Sequence, residues 1–467
     1  MSHEPKPRIA YIVYNDVYRD SRVLKTADSA ARAGAQVRIF AFGGLLSHYP
    51  AGLDNRSSGV EILRLSLFPE NVPVLSGVIE RRRDRRSKAV AKAVAGPAAS
   101  PVAAQRVGVV ERFRKRVDRL LSPLVIKVRE ADFRRRAVKA IQLWAPDIVH
   151  AHDANTLEVA MRVKRRCHTP FVYDAHELWE MRNAVRSKAR QRRDRRMLDV
   201  ATASMAGSVT VSPGIQRWMQ ERYGLAEAPV LVRNVPPLAA VPPSRAGGRL
   251  REMAGLADKD RIIVYVGRIT SGRGLPETVR ALAKLPSDIH LVVLGYGPDA
   301  FRVELTEVIR EAGVVSRVHF IGSVESSAVP TTIADADLSI VYTQPINLSY
   351  TFSLPNKLFE SIHAGQAIVA SDLPDVVDLV DSLGVGRTFP SDDIDALATA
   401  ITGVLAAPEE FRNASRAASR TLTWENEMVG LMSLYERATA GRVVLRVEPE
   451  VRLTSAHTGN SSSRTID

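Results

Sequence analysis

The sequence predicts an α/β protein with two doubly wound domains that face a cleft. Short apolar strands alternate with amphipathic helices on both sides of residues 235–250. These strands are rich in β-branched residues and apolar on both faces, as in parallel sheets that helices cover. Residues 235–250 themselves hold four prolines and two glycines, a composition typical of a linker. Ligands of such folds bind where the strands end, so we expect a site between the domains.

The first domain is predicted over residues 1–234, and its order of elements indicates a parallel sheet with right-handed crossovers. Ser212 is expected to cap one of its helices and Gly224 to end that helix. The predicted strands are 9–14, 37–42, 60–65, 147–152, 170–173, 208–211 and 229–232, and the predicted helices are 21–33, 156–166, 199–205 and 213–223.

The second domain is predicted over residues 251–410. A further helical segment follows at 411–440, and we expect the polar, Ser-rich tail at 446–467 to be disordered. The predicted strands are 261–266, 290–294, 318–321, 338–342 and 367–371, and the predicted helices are 276–284, one that ends at 312, a short one within 353–365, 394–405 and 424–439.

A basic insertion interrupts the first domain at residues 72–140. The whole chain has a formal net charge of +14, and this segment holds 19 Lys and Arg against 6 Asp and Glu. A second basic cluster spans residues 182–196. We expect two helices around a loose linker at 95–107. The insertion is then either a solvated, partly disordered segment or an arm that contacts an anionic membrane or acceptor.

The chain is expected to act in the cytoplasm, either free or peripheral at the inner face of the membrane. Cys167 is the one cysteine, which excludes an internal disulfide, and we expect it to be structural. The polar residues 1–8 are unlike a signal peptide. No run approaches the ~20 apolar residues that a spanning helix needs.

Residues 353–365 predict a phosphate-binding helix start. Ser353 is a candidate cap, and Pro355 suits a first turn because its missing N–H costs nothing there. The free N–H groups of such a turn can hold a phosphate. Lys357 and Glu360 share a helix face, so the lysine can meet a phosphate while the carboxylate accepts two ribose hydroxyls. This pairing favours a nucleoside diphosphate, with an ordinary surface ion pair as the alternative. The residues expected around the nucleotide are Ser353, Leu354, Asn356 and Glu360, together with Gly295 and Gly297, which can let the backbone approach the base.

Four motifs follow one another along the chain, each at the end of a predicted strand. They are Pro146–Asp153 (PDIVHAHD), Tyr173–Glu177 (YDAHE), Val266–Arg268 with Gly272–Gly274 (VGR and GRG), and Leu354–Glu360 (LPNKLFE) with Ala370–Asp372 (ASD). In this order they resemble the GT-B retaining glycosyltransferases of family 4. The resemblance covers about residues 9–72 and 140–436, and it leaves out the insertion and the tail.

The resemblance implies two Rossmann-like domains, the first on the acceptor side and the second binding the nucleotide sugar. The helix at 411–440, which includes Trp424, would cross back onto the first domain. Arg268 and Arg273 would grip the diphosphate and, with Lys357, stabilise the charge that grows on it as it leaves. Glu360 would bind the ribose. The other glutamate of the family pattern is Phe352 here, so residues 349–353 are expected to line the sugar pocket instead.

The resemblance also places His152 beside the reacting sugar, where it can donate a hydrogen bond to a hydroxyl. His150 is expected to point to the opposite face of the strand and to be structural. A zinc site at His152 and His176 is disfavoured because no third close ligand or Cys set is evident. The residues expected at the acceptor are Asp153, Asn155, His176 and Glu177, with Ser21 and Arg22 at a helix start near the phosphate or acceptor; a simple capped helix there is the alternative.

The leading hypothesis is therefore a glycosyltransferase that moves a sugar from a UDP- or GDP-sugar to an acceptor hydroxyl with retention. The pathway would make cell-surface glycans, polysaccharides or glycolipids. The donor is a substrate, and no tightly bound cofactor and no metal is expected. The expected partners are a glycan or lipid-linked acceptor and an anionic membrane contacted through residues 72–140, without nucleic acid.

Three alternatives remain at this point. A sugar-nucleotide epimerase of the same fold would use Glu177 and Asp153 as acid and base. A nucleic-acid-binding protein would use the basic insertion, where aromatic residues for base stacking are scarce. A dehydrogenase is disfavoured because no Gly-x-Gly-x-x-Gly follows the first strand.

Overall fold

A computed structural model of the chain describes residues 5–18, 20–44, 47–70, 109–181, 188–238 and 248–447. In the helix that begins at Val109, side chains are described from residue 126 onward. Two sheets, each covered by helices, make up the described part. This arrangement confirms the predicted fold class of two doubly wound α/β domains.

The first domain is built on eight strands. They are β1 (Arg8–Ile12), β2 (Gln36–Gly43), β3 (Gly52–Asn55), β4 (Glu61–Ser66), β5 (Ile148–His152), β6 (Phe171–Ala175), β7 (Gly207–Thr210) and β8 (Val230–Leu231). Their order in the sheet is β3-β4-β2-β1-β5-β6-β7-β8. Every neighbouring pair is parallel except β3 with β4. Strands β5 and β6 are buried along their whole length, as their apolar runs predict.

Five helices accompany this sheet. They are α1 (Ser21–Arg32), α2 (Val109–Trp144), α3 (Leu157–Cys167), α4 (Lys188–Thr202) and α5 (Pro213–Tyr223). The local signals at α5 are confirmed. The Ser212 side chain accepts from the backbone N–H of Ile215, and Gly224 ends the helix in the left-handed conformation.

The second domain has a six-stranded sheet in which all pairs are parallel. Its strands are β9 (Arg261–Arg268), β10 (Ile289–Tyr296), β11 (Val318–Gly322), β12 (Leu338–Val341), β13 (Ala367–Ser371) and β14 (Gly386–Phe389), in the order β11-β10-β9-β12-β13-β14. Its helices are α6 (Leu250–Ala254), α7 (Leu275–Leu282), α8 (Asp299–Glu311), α9 (Val329–Ile333), α10 (Leu348–Thr351), α11 (Asn356–His363), α12 (Pro374–Leu383), α13 (Ile394–Ala406) and α14 (Pro408–Ala418).

The last helix, α15 (Trp424–Ala438), follows the second domain in the chain but packs against the first. Trp424 Nε1 donates a hydrogen bond to Ser29 Oγ at 3.0 Å. Near the other end of the helix, Tyr435 Oη lies 2.9 Å from Tyr11 Oη. Arg233, which lies just before the linker, donates to a carboxylate oxygen of this helix, in Glu427, at 2.9 Å. The two domains are therefore joined by both the linker and the returning helix.

The insertion and several peripheral elements differ from the sequence predictions. The second predicted helix of the insertion is α2, and it continues beyond residue 140 to Trp144 because Phe133 and Ile141 are buried against the first sheet. The first predicted helix, the linker at 95–107 and most of the tail at 446–467 lie outside the described residues. Strands β3 and β14 were not predicted. Within the part of the chain that is described, no helix is both long enough and apolar enough to cross a bilayer.

Candidate active site

Loops at the carboxyl ends of strands from both sheets contact each other. Leu178, which follows β6, donates its backbone N–H to Ser349 Oγ at 3.2 Å. Ser212, which follows β7, donates its hydroxyl to the carbonyl of Phe352 at 2.5 Å. Residues 349–353, which were predicted to line the sugar pocket, therefore lie where the two domains meet.

A buried lysine and an arginine form the cationic part of this edge. Lys357 is 6% exposed; its Nζ donates to the carbonyl of Tyr342 at 3.0 Å and lies 4.3 Å from the ring centre of Tyr265. The guanidinium of Arg273 lies over the Tyr350 ring at 4.8 Å. Burial, and then the charge of Arg273, lower the pKa of Lys357 well below its usual value. An anion bound here would favour the charged form of this lysine.

The glycine-rich loop that holds Arg273 requires its glycines. Gly272 and Gly274 have φ values of +74° and +70°, and a Cβ on Gly274 would lie 2.0 Å from the ring of Tyr342. The loop therefore packs directly on the residue whose carbonyl holds Lys357. Arg268 lies at the exposed end of β9, where this loop begins. The structure thus brings Arg273 and Lys357 together and leaves Arg268 in solvent at the entrance of the loop.

The carboxylate of Glu360 lies in the field of a lysine from the first domain. Glu360 accepts a hydrogen bond from the Ser326 side chain, and burial raises its pKa to about 7 against the opposing charge of Lys25. Lys25 Nζ donates to the carbonyl of Val235 in the linker at 2.9 Å and lies 4.2 Å over the Trp424 ring. Burial and the charge of Arg22 lower the pKa of Lys25 to about 7. The pKa of Glu360, the residue predicted to bind the ribose, therefore depends on the charge of Lys25 on the opposite domain.

Packing within the second domain is enough to explain the two glycines that were predicted to contact the nucleotide, Gly295 and Gly297. A Cβ on Gly295 would lie 1.8 Å from the carbonyl oxygen of Gly267, and a Cβ on Gly297 would lie 1.9 Å from that of Ile269. Both glycines are therefore needed for the close approach of β9 and the loop after it. Their approach to a nucleotide base stays a prediction.

The start of α11 differs from the sequence prediction. Pro355 occupies the cap position in extended conformation, and Asn356 is the first helical residue, so Ser353 does not cap this helix. Ser353 Oγ instead donates to the carbonyl of Tyr350 at 2.8 Å. Leu354 is buried and Asn356 is exposed. Of this segment, Asn356 is therefore the one whose side chain is open to solvent at the helix start.

Two of the predicted acceptor residues join His152 in one cluster. His152 Nδ1 lies 3.1 Å from His176 Nε2, and His176 Nδ1 lies 3.6 Å from Asp153 Oδ2. Although burial opposes its charge, the carboxylates of Asp153 and Asp174 raise the pKa of His176 to about 9. Burial and the neighbouring histidines lower the pKa of His152 well below its usual value. Asp153 itself has a φ of +61°, a conformation that a non-glycine residue adopts at an energetic cost.

The prediction that His150 points away from His152 was wrong. Residues two apart in a strand share a face, and the two imidazole rings stack with their centres 4.4 Å apart. His150 is fully buried, and its Nδ1 lies 2.6 Å from Tyr435 Oη of the returning helix α15. Tyr11 stacks on both histidines. His150 is thus part of the same cluster and connects it to α15.

Arg22 is not open to an acceptor or a phosphate, which corrects the prediction for that residue. Its Nε and Nη2 donate to the two carboxylate oxygens of Asp174 at 2.9 and 2.8 Å, and its Nη1 donates to the carbonyl of Val232 at 2.7 Å. The alternative, a simple capped helix with Asp20 or Ser21 as the cap, is confirmed: Asp20 caps α1 and Ser21 is its first residue. A planar fork bound to a buried carboxylate fixes the position of that carboxylate.

The expectation that no third ligand lies near His152 was also wrong. Nitrogen and oxygen atoms of His150, His152 and Asp174 lie within 4.8 Å of one another, close enough to surround a metal ion. However, both oxygens of Asp174 accept from Arg22, which places a fixed positive charge against this carboxylate. The arrangement therefore favours a hydrogen-bonded network over a metal centre.

The remaining predicted acceptor residues are at the margin of the cluster. Asn155 is exposed in the short 3₁₀ turn Ala154–Thr156, and Glu177 is half-buried in the loop after β6.

The sequence analysis did not single out Asp174, Lys25 or Ser326. Asp174 stood within the quoted YDAHE motif, so an acidic residue at a strand end was a usable signal; the other two offered none.

Each of the two domains matches a known family model. Residues 249–421 match the family model of the glycosyl transferases group 1, and residues 90–234 match that of glycosyltransferase family 4. The two matches fall on the two domains on either side of the linker.

Individual proteins are similar at lower identity. A phosphatidyl-myo-inositol mannosyltransferase of Mycolicibacterium smegmatis is 24% identical over 64% of this chain and 74% of its own length. A D-inositol 3-phosphate glycosyltransferase of Mycobacterium marinum is 26% identical over 63% of this chain and 65% of its own length. The chain thus spans about two thirds to three quarters of these relatives. The solved structure of HepE from Anabaena in complex with UDP superposes with a TM-score of 0.64 at 14% identity, covering 93% of this chain and all of that one, which shows a shared fold.

Proposed function

Because the chain belongs to the group 1 and family 4 glycosyltransferases of GT-B fold, we propose that it transfers a sugar from a nucleotide-diphosphate sugar to an acceptor hydroxyl with retention. The observation that carries this proposal is the buried Lys357 in the field of Arg273, with Glu360 of the same helix as the carboxylate that opposes this positive charge. A diphosphate supplies the missing negative charge, and the neighbouring carboxylate suits the hydroxyls of a ribose.

The transfer is then a substitution at the anomeric carbon on one face of the sugar. The bond from this carbon to the diphosphate oxygen breaks, and Arg268, Arg273 and Lys357 stabilise the charge that develops on the leaving group. The acceptor oxygen forms the new bond on the same face, and its proton passes to the departing phosphate. His152 donates a hydrogen bond to a sugar hydroxyl. No covalent step through a protein nucleophile is required.

A panel of UDP- and GDP-sugars tests the donor class. We expect one of them to raise the melting temperature selectively, and Glu360→Gln to weaken its binding about 10-fold or more, because hydrogen bonds to a charged group contribute about 1.5–3 kcal/mol. Glu304→Gln on the exposed face of α8 is the matched control and should bind like the wild type. Absence of a shift with every donor, or equal binding by Glu360→Gln, would contradict the proposal. Nucleotide release that requires an acceptor separates a transferase from an epimerase.

The acceptor side carries an exposed basic surface, which we define as the six cations of α4. They are Lys188, Arg190, Arg192, Arg193, Arg195 and Arg196. Arg190 and Arg195 lie against Glu130 and Glu180 at 3.2 and 2.9 Å, while Arg192 and Arg196 make no ion pair within the described residues. A lipid-linked or anionic glycan acceptor fits this surface, and the first named relative acts, by its name, on a phosphatidyl-inositol. The protein would then work at the inner face of the membrane, reaching it also through residues 72–140.

Charge reversal on this surface tests the membrane contact. The double variant Arg192→Glu with Arg196→Glu should lose most of its binding to vesicles that contain anionic lipid, since each basic residue near such a surface contributes about 1 kcal/mol. The matched control is Arg387→Glu with Arg420→Glu, two exposed arginines of the second domain. Cosedimentation with vesicles is the measurement. If both double variants lost vesicle binding equally, the loss would be explained by net charge alone. If neither lost binding, α4 would be excluded as the membrane contact.

A further inference from the structure

We propose that Asp174 and His176 are positioning residues for His152: they hold its ring in the tautomer that carries its proton on Nε2, so that this N–H is presented to a substrate oxygen. This inference rests on the proposed function for the identity of the substrate, but the tautomer itself does not depend on it. Neither Asp174 nor His176 needs to touch the sugar.

The geometry begins with one carboxylate oxygen. Asp174 Oδ2 lies 3.3 Å from His150 Nε2, 3.3 Å from His152 Nδ1 and 3.4 Å from His176 Nε2. The Asp174 side chain is fully buried, and Arg22 fixes it with two hydrogen bonds. A carboxylate held in this way only accepts hydrogen bonds. The ring nitrogens around it therefore compete to present protons to it, and His176, which also faces Asp153, is favoured over His152.

The bond between the two outer histidines decides which nitrogen of His152 is protonated. His152 Nδ1 and His176 Nε2 are 3.1 Å apart, so one must donate to the other. His176 lies between two carboxylates, Asp153 at Nδ1 and Asp174 at Nε2. This position favours the imidazolium form, in which both nitrogens of His176 donate. His152 Nδ1 is then the acceptor, and the single proton of a neutral His152 is on Nε2.

The far side of the His152 ring has no partner in the described residues. His152 Nε2 is buried and makes no hydrogen bond, and the Tyr11 and His150 rings stack along the imidazole. An unsatisfied buried donor costs about 1–3 kcal/mol, so its retention indicates a partner that arrives with the ligand. At the carboxyl end of β5 that partner is a hydroxyl oxygen of the sugar or of the acceptor. His152 then acts as a fixed donor and not as a base.

Nitrogen NMR of protein with isotope-labelled histidine reads this tautomer directly. In the wild type the His152 ring should show a protonated Nε2 and an unprotonated Nδ1, and this preference should disappear in His176→Leu. His152→Gln identifies the resonance. A ring protonated on Nδ1, a His152 cation, or an unchanged tautomer in His176→Leu would overturn the inference. These outcomes do not depend on which sugar is transferred, so they are distinct from a failure of the proposed function.

Kinetics separates positioning from a structural role. We expect His176→Leu to lower kcat about 10- to 100-fold with an unchanged donor Kd, whereas His176→Gln, whose amide can still donate to His152, keeps most of the activity. His319→Leu, a half-buried histidine on the edge strand β11, is the control and should keep wild-type kcat. Equal losses in His176→Leu and His176→Gln, or a loss that appears in the donor Kd instead of kcat, would contradict positioning.

Discussion

Replacing Lys357 with methionine is expected to lower kcat by about 10²–10³-fold. Removal of one preorganised group that stabilises charge on a reacting atom costs about 3–4 kcal/mol. Of the three cations proposed at the diphosphate, Arg268, Arg273 and Lys357, only Lys357 is buried, and its ammonium would meet the diphosphate where water cannot screen it. Arg273 remains in this variant, so donor binding weakens less than turnover.

The same substitution should leave the free energy of unfolding unchanged or raise it. Lys357 is desolvated, and the positive charge of Arg273 disfavours its charged form more than Glu360 favours it. Methionine has a similar length and carries no charge to bury, so it can fill the space beside the Tyr265 ring at little cost. A loss of activity together with an unchanged free energy of unfolding in urea would show that Lys357 acts in the site. Unfolding of the variant would contradict the expected stability, and the loss of activity would then be explained by the loss of the fold.

Proton uptake on donor binding is a second, thermodynamic test of the role of Lys357. Because burial holds the pKa of Lys357 well below its usual value, a bound diphosphate, which favours the charged form, should draw a proton onto this lysine. Calorimetric titration with the donor in buffers of different ionisation enthalpy should show a smaller uptake in Lys357→Met than in the wild type. Lys259→Met, at an exposed lysine of the second domain, should behave like the wild type. Identical proton counts in Lys357→Met and the wild type would refute the assignment.

The fold was predictable wherever the signal is local. Strand β5 shows itself as a short apolar run, and α5 is bounded by a Ser-Pro start and a glycine end. Strand β3 was not predictable, because all four of its residues are exposed and only pairing with β4 makes it a strand. The length of α2 was hidden for a similar reason, since its last turns are fixed by burial against the first sheet.

The site was predictable within segments but not between them. Lys357 and Glu360 are recognisable because their spacing puts them on one helix face. Their partners are Tyr265 for Lys357 and Ser326 and Lys25 for Glu360. These partners lie on other strands and loops or on the other domain, so no spacing along the chain predicts them. The error at His150 was of another kind, because the strand period of two already places it beside His152.

Ionisation of Glu360 should by itself strengthen donor binding about 10-fold between about pH 6 and pH 8. In the free protein its pKa is raised to about 7, so the carboxyl is mostly protonated at pH 6 and mostly ionised at pH 8. Ribose hydroxyls donate to the ionised form and therefore bind it preferentially. At a pH below this pKa, Glu360 must lose its proton before it can accept hydrogen bonds from the ribose. The contribution of Glu360 to the apparent Kd therefore falls as the pH rises through about 7, and it levels off at higher pH.

The measurement is Kd for a nucleotide-diphosphate sugar by calorimetry across this range. The esterified diphosphate of the donor is fully ionised throughout, but Lys357 contributes an opposite slope because its charged form binds better. Comparison with Glu360→Gln isolates the carboxylate, since the amide cannot ionise and the other groups remain. The ratio of the two Kd values should therefore change about 10-fold with pH. A constant ratio would show that Glu360 does not bind the donor through its ionised form.

Lys25 provides an independent check from the other domain. Its positive charge stabilises the ionised carboxylate of Glu360, although its own pKa is lowered to about 7, so part of this charge is lost in the same range. Lys25→Met removes the stabilising charge entirely, and the midpoint of the Glu360 transition should then move to higher pH. Because Lys25 lies on α1 and Glu360 on α11, this shift requires the two domains to be close in the donor-free protein. An unmoved midpoint would mean that the domains are apart in the donor-free protein, and that Lys25 does not contribute to the pKa of Glu360.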